Sequence, residues 1–149
     1  KALSREKCLH IAKDEDPETI VIGSDTVVVL DGVILGKPAN EADAVRMLTA
    51  LSGRSHEVCT GVTVCQGKTV QSEAEVTQVT FRALTETEIR QYVATGEPMD
   101  KAGAYGIQGG AALFCTRLVG DYYNVMGLPV CRLGEVLRQL APQWMGEYL

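Results

Sequence analysis

Residues 19–35 constrain the fold most. The run Thr19-Ile20-Val21-Ile22-Gly23-Ser24-Asp25-Thr26-Val27-Val28-Val29-Leu30 is followed by Asp31-Gly32 and then by Val33-Ile34-Leu35. β-Branched residues favour a pleated, extended backbone, and Asp-Gly between two such arms is the two-residue turn whose twist matches a β-hairpin. The segment therefore predicts two antiparallel strands. With Leu30 opposite Val33, strict pairing sets Thr26 against Lys37 and Asp25 against Pro38, so Thr26 and Lys37 share one face while Asp25 points to the other. For Asp25 and Lys37 to serve one ligand, the strand ends must twist or bulge, most easily at Gly23 and Gly36.

Asp25 is the anomaly in that run. An ionised carboxylate among β-branched apolar residues is costly to desolvate unless a cation, a metal or several donors meet it. It is accordingly the first candidate for chemistry.

Around this hairpin, residues 2–13 suit a helix in which Leu3, Cys8, Ile11 and Ala12 share an apolar arc and Glu6, His10 and Lys13 a polar one. Lys7 falls on the apolar arc, where either its stem covers the core or its ammonium enters a cleft. Asn40 is a good N-cap for a packing helix carrying Ala44, Met47, Leu48 and Leu51, stopped at Gly53. From His56 to Leu84, two extended arms broken at Gln66-Gly67-Lys68 form a second, longer hairpin. Thr85-Glu86-Thr87-Glu88 is a capping box opening a helix through Val93, closed at Gly96. Beyond a glycine-rich stretch come an expected strand from Ala111 to Leu118, a Gly120-Asp121 turn and a second short arm. Pro129 then begins a final helix with Val130, Leu133, Leu137 and Leu140. The sum is an α/β domain, a mixed sheet with flanking helices, and its 149 residues suit a single core.

A net charge of -5 and few aromatics argue against a nucleic-acid groove, which would show a basic stripe and stacking residues. Cys8, Cys59, Cys65, Cys115 and Cys131 form no Cys-x-x-Cys pair, sit mostly among Val and Leu, and predict buried thiols in a reducing compartment. No stretch reaches the eighteen or so apolar residues of a membrane helix, and no basic-then-apolar leader is present. These features predict a cytoplasmic protein without membrane or nucleic-acid partners.

The segment Glu97 to Gly110 is rich in glycine, which lets backbone N–H groups approach a ligand, and Lys101 and Gln108 add a charge and an amide. It matches neither the Walker A pattern nor the dinucleotide fingerprint, and a plain glycine-rich turn is the alternative. Asp100 beside Lys101 also suits a simple ion pair. Lys7, Lys37 and Lys101 together with Asp25 fit a polyphosphate held by cations, with a divalent ion bridging Asp25 and phosphate oxygens. His10 and His56 lack metal-ligand spacing and a neighbouring nucleophile, and read as ordinary surface or strand histidines. Tyr105, Tyr122 and Tyr123 read as half-buried strand residues.

Gly23-Ser24-Asp25-Thr26, Gly36-Lys37-Pro38, Leu51-Ser52-Gly53, Thr60-Gly61, the stretch from Gly96 through Tyr105-Gly106-Ile107-Gln108-Gly109, and Asn124-Val125-Met126-Gly127-Leu128-Pro129, in this order and spacing, closely resemble the Maf family of nucleoside triphosphate pyrophosphatases. The likeness runs from about Lys1 to Leu140. It implies an inosine triphosphate pyrophosphatase-like fold with a cleft between two lobes, and hydrolysis of a nucleoside triphosphate between its α and β phosphates with Mg²⁺ or Mn²⁺. It also implies a homodimer, as members often are. Carried over, the catalytic, metal-holding acid falls on Asp25. The specificity positions fall on Thr26 and Gln108, and the phosphate-binding lysines on Lys37 and on Lys7 within Arg5-Glu6-Lys7. Thr after the Asp, with Ala-Tyr-Gly-Ile-Gln, resembles the branch acting on dTTP and UTP rather than on 7-methyl-GTP.

The family also begins with a strand and a Ser-x-Ser-x-Arg-Arg turn, followed by a further acidic residue, and these motifs are absent from residues 1–149. The resemblance thus implies one Maf-like domain lacking its N-terminal strand and phosphate-gripping turn. A nucleotide-sensing or partner-binding module of the same fold, linked to cell division and without turnover, is the alternative function.

Overall fold

The computed structural model describes residues 1–146. Helix α1 (Ala2–Ala12) leads into strand β1 (Ile20–Leu30), which turns through Asp31-Gly32 into the short β2 (Val33–Leu35). Helix α2 (Glu41–Leu51) follows, then the long hairpin of β3 (Ser55–Gln66) and β4 (Thr69–Phe81), then α3 (Glu86–Ala94). The glycine-rich segment contains 3₁₀ turns at Glu97–Asp100, Ala102–Ala104 and Gly110–Leu113 before β5 (Cys115–Val119), α4 (Tyr122–Met126) and α5 (Val130–Leu140). The strands lie in the order β2-β1-β3-β4-β5, every neighbouring pair antiparallel. The result is a mixed α/β fold in which two hairpins, β1-β2 and β3-β4, are set side by side through the β1–β3 pairing.

The local signals account for most of these boundaries. Asn40 Oδ1 accepts the Asp43 N–H at 2.8 Å to start α2, and Thr85 with Glu88 forms a reciprocal capping box on α3. The first hairpin pairs Leu30 with Val33, Val29 with Ile34 and Val28 with Leu35, as its turn dictates. Pairing stops there, which corrects the extrapolated Thr26–Lys37 and Asp25–Pro38 partners. Gly36 turns its carbonyl to the Gly103 N–H at 3.0 Å, and Pro38, with no N–H to give, leads away toward α2. Residues 20–27 of β1 are consequently paired on one side only, with β3, among the described residues.

Alternation along β1 and β3 sorts the helices onto two faces. Val28, Leu30, Val58, Val79 and Phe81 bury a large core against α2, α3 and the glycine-rich segment. On that same face Val62 and Val64 pack against Leu133 and Val136 of α5. The opposite face carries α1 through Cys8, Val21 and Cys65. Here α1 departs from its expected amphipathic arc. Ser4 and Cys8 are its buried residues, while Leu3 and Ile11 are each 52% exposed. Close approach explains the preference for small side chains. A Cβ on Gly23 would lie 2.5 Å from the Ser4 carbonyl oxygen, so the helix rests on bare backbone, and Ser4 Oγ meets Thr63 Oγ1 at 3.0 Å.

Four further expectations are corrected. The strand predicted from Ala111 is a 3₁₀ turn followed by β5, and the second short arm is the helix α4, started by Asp121, whose carboxylate accepts the Tyr123 N–H at 2.8 Å. Tyr122 and Tyr123 are therefore exposed helical residues, and Tyr105 is fully buried in the loop. Of the cysteines only Cys8 and Cys65 are buried; Cys59 and Cys115 are partly so and Cys131 is exposed. Among the described residues no helix is long and apolar enough to cross a membrane.

Candidate active site

A cleft of about 580 Å³ opens along the unpaired stretch of β1. Its lining brings together every residue singled out from the sequence: Lys7, Asp25, Thr26, Lys37, Lys101 and Gln108. The parity problem of the hairpin disappears because β2 has ended. At an open strand edge, side chains from both faces reach the same space, so Asp25 enters from the α1 side and Thr26 from the α4 side.

Asp25 is a carboxylate with 19% of its side chain exposed, and the Lys7 ammonium is its ion-pair partner through Oδ1. Lys7 does not merely snorkel. Its head group reaches across from α1 onto β1 and forms part of the cleft wall. Lys37 comes from the segment just after β2, and Lys101 from the glycine-rich segment, so three cations and two acids, Asp25 and Asp100, line the cleft. Lys101 also bonds Asp100 at 2.8 Å, as the sequence suggested, and this contact holds the Asp100 carboxyl below the usual carboxylate range.

The glycine-rich segment is pinned from behind. Gly103, at φ +69°, packs so tightly on β1 that an added Cβ would lie 2.8 Å from Val28 Cγ2. The Tyr92 hydroxyl donates to Glu97 Oε1 at 2.8 Å and accepts the Gly106 N–H at 3.2 Å, while Glu97 Oε2 accepts the Gly110 N–H at 3.2 Å. Burial pushes both the Tyr92 and Tyr105 phenols above the ordinary tyrosine range, so they act here as neutral hydrogen-bonding groups. Tyr105 meets the buried His56, its hydroxyl 2.7 Å from Nε2. Desolvation lowers His56 to about 4, which keeps the imidazole neutral near pH 7. His56 is thus a core strand histidine, and exposed His10 lies on α1 outside the cleft.

The α4 side of the cleft contains residues to which the sequence alone assigned no role. Ser24 Oγ donates to the Gly127 carbonyl at 2.7 Å, fastening the end of α4 to β1. Thr26 Oγ1 lies 2.9 Å from Thr60 Oγ1, and Thr60 Oγ1 in turn donates to the Asn124 carbonyl at 2.9 Å. Asn124 Nδ2 donates to the Val58 carbonyl at 3.0 Å and to Thr77 Oγ1 at 2.8 Å. Ser24, Thr26, Thr60, Asn124 and Gly127 lie in motifs noted above and Val58 and Thr77 do not, and the partners are far apart in the chain, where no spacing rule joins them.

A cleft lined by three lysines and Asp25 together with hydroxyls and an exposed amide suits a ligand with a polyanionic tail and a polar planar head. Among the described residues no group of three or more His, Cys, Asp or Glu gathers that could hold a metal ion unaided.

The chain is similar to proteins of known family. A sequence profile described as "Maf-like protein" matches residues 1–140. The "dTTP/UTP pyrophosphatase" of Alkaliphilus metalliredigens is 52% identical over 142 residues, 93% of this chain and 73% of that protein. Proteins of the same name from Koribacter versatilis and Aliivibrio fischeri are 49% and 50% identical over 137 and 129 residues, 92% and 87% of this chain and 70% and 68% of theirs. Agreement that extends from α1 through α5 and takes in every wall of the cleft makes this chain a member of the Maf-like protein family.

Proposed function

We propose that the chain hydrolyses pyrimidine nucleoside triphosphates, dTTP and UTP foremost, to the nucleoside monophosphate and pyrophosphate. The observation that carries this is the convergence of Asp25, Lys7, Lys37 and Lys101 on the cleft that also holds Thr26 and Gln108. The names of the relatives, and their identity near one half, point the same way.

In this scheme the triphosphate lies among the three ammonium groups, which offset its charge and the charge that builds on the departing pyrophosphate. Water adds to phosphorus, the bridging P–O bond between the α and β phosphates breaks, and the electron pair of that bond leaves with pyrophosphate. Asp25 accepts the proton of the attacking water, directly or through a second water. The Lys7 ammonium is its ion-pair partner at the cleft wall. Thr26 and Gln108 address the edge of the base.

The donor set suits a divalent ion that arrives with its substrate. Mg²⁺ is commonly held by one or two carboxylates plus phosphate oxygens, and Asp25 with the triphosphate supplies such a set. Bound there, Mg²⁺ or Mn²⁺ would neutralise phosphate charge and raise the acidity of water beside it.

The test is release of pyrophosphate, coupled to inorganic pyrophosphatase, from dTTP, UTP, CTP and 7-methyl-GTP with and without Mg²⁺. Metal-dependent release that favours dTTP and UTP supports the proposal. Nucleotide binding without release overturns it in favour of a sensing module.

A further inference from the structure

Thr60 makes no contact with the cleft, yet it controls what the cleft presents. It is fully buried, 0% exposed, and stands between two oxygens: Thr26 Oγ1 on one side and the Asn124 carbonyl on the other, both at 2.9 Å. A hydroxyl carries a single hydrogen. Oxygens that approach this closely away from water need a hydrogen between them, because lone pair against lone pair is repulsive. A carbonyl cannot supply one, so the Thr60 hydrogen must point at Asn124. The hydrogen in the other contact then has to come from Thr26. Thr26→Thr60→Asn124 is the one assignment that fills both contacts.

The consequence falls on Thr26. Its hydrogen is turned inward, and only lone pairs are left for the cleft. Ser24, on the same face of β1, behaves alike, since both of its partners, the carbonyls of Gly127 at 2.7 Å and Gly61 at 3.3 Å, accept its hydrogen. Two adjacent hydroxyls on this wall therefore act as acceptors. Gln108 imposes no such polarity, because an exposed amide can turn either its oxygen or its nitrogen toward a ligand.

We propose that Thr60 is a positioning residue for base selection. By fixing Thr26 as an acceptor addressed to ring position 3, it makes the wall complementary to a pyrimidine that carries an N–H there, as uracil and thymine do; cytosine presents a bare acceptor at that position and would have to shift to offer its 4-amino group. This rests on the pyrimidine triphosphate chemistry proposed above and adds its basis for rejection. A lone pair facing a lone pair disfavours the wrong base, which is discrimination by rejection.

The experiment compares kcat/KM for UTP and CTP, and binding of UMP and CMP by calorimetry, in the wild type, Thr60→Val, Thr60→Ser and Thr26→Val. The wild type should favour the uracil nucleotide in both assays. Thr60→Val removes the acceptor for the Thr26 hydrogen and frees that hydroxyl to turn, so the uracil-to-cytosine ratio should fall by about tenfold or more. Thr60→Ser restores the relay and should keep the ratio. Thr26→Val leaves the Thr60–Asn124 contact in place and should lose the preference, which decides the matter should Thr60→Val not fold. Equal losses for both bases in Thr60→Val, or a ratio unchanged in Thr26→Val, would overturn the relay. If no triphosphate releases pyrophosphate, the proposed hydrolysis fails, and the UMP and CMP affinities still decide the relay.

Discussion

Asp25 and Thr26 are consecutive residues on opposite faces of β1, and both line one cleft because β2 stops pairing at Val28 and leaves the strand edge open. On the Asp25 side Lys7 forms the ion pair, and on the Thr26 side Ser24 and Thr26 hydrogen-bond toward Gly127 and Thr60. In the proposed reading a single strand thus brings the acid and the base-facing hydroxyl to one cleft from its two faces.

Replacing Asp25 by Asn keeps the shape and removes the proton acceptor proposed above. Pyrophosphate release from dTTP should fall by roughly 10²–10⁴-fold, the usual worth of general-base assistance. The Lys7 side chain is 59% exposed, so losing its partner should cost under about 1 kcal/mol of stability. Turnover near the wild-type value, with the fold verified by circular dichroism, would remove Asp25 from the mechanism.

Gly23→Ala tests how α1 delivers Lys7. The new methyl meets the Ser4 carbonyl oxygen at 2.5 Å and Cys8 at 2.9 Å, so the helix must lift, at a cost of about 1–3 kcal/mol. Lys7 rides on that helix. A raised KM for the triphosphate should therefore accompany the lowered melting temperature; lost stability with KM untouched would show that Lys7 does not need this seat.

Tyr92→Phe removes the hydroxyl that joins Glu97 to the Gly106 N–H. Leaving that amide without its acceptor costs about 1–3 kcal/mol, concentrated in the segment that carries Lys101 and Gln108. The expected result is faster amide exchange from Lys101 to Gly110, with exchange in β3 and β4 unaltered. Uniform acceleration across the sheet would contradict local anchoring.

Stability should depend on pH through His56. Its folded pKa, lowered to about 4 by burial, lies below the unfolded value of 6.5. Between these values the unfolded chain binds the extra proton, so the contribution is complete above pH 6.5 and is lost as pH falls toward 4. The span corresponds to roughly 3 kcal/mol. Urea titrations across this range should show the loss, and His56→Gln should flatten it.

Features set by neighbours along the chain were legible in advance. Asp31-Gly32 fixed a hairpin register, Asn40 and Thr85 fixed helix starts, and the isolated carboxylate of Asp25 marked the cleft. What escaped notice depends on partners remote in sequence. The small residues Ser4 and Cys8 form the buried side of α1 because Gly23 lies beneath them, and no periodicity in α1 reveals that. The five-residue α4 is too short to show a period at all, and its apolar and aromatic residues suit a strand equally well. The hairpin extrapolation past Leu35 failed because Gly36 found a better acceptor role with Gly103 than a place in the ladder.

The bond from Ser24 to Gly127 joins residues 103 positions apart, whereas Lys7 and Asp25 are separated by 18. The fastening of β1 to α4 can therefore form only once residue 127 has been added to the chain, long after Lys7 and Asp25 are both present.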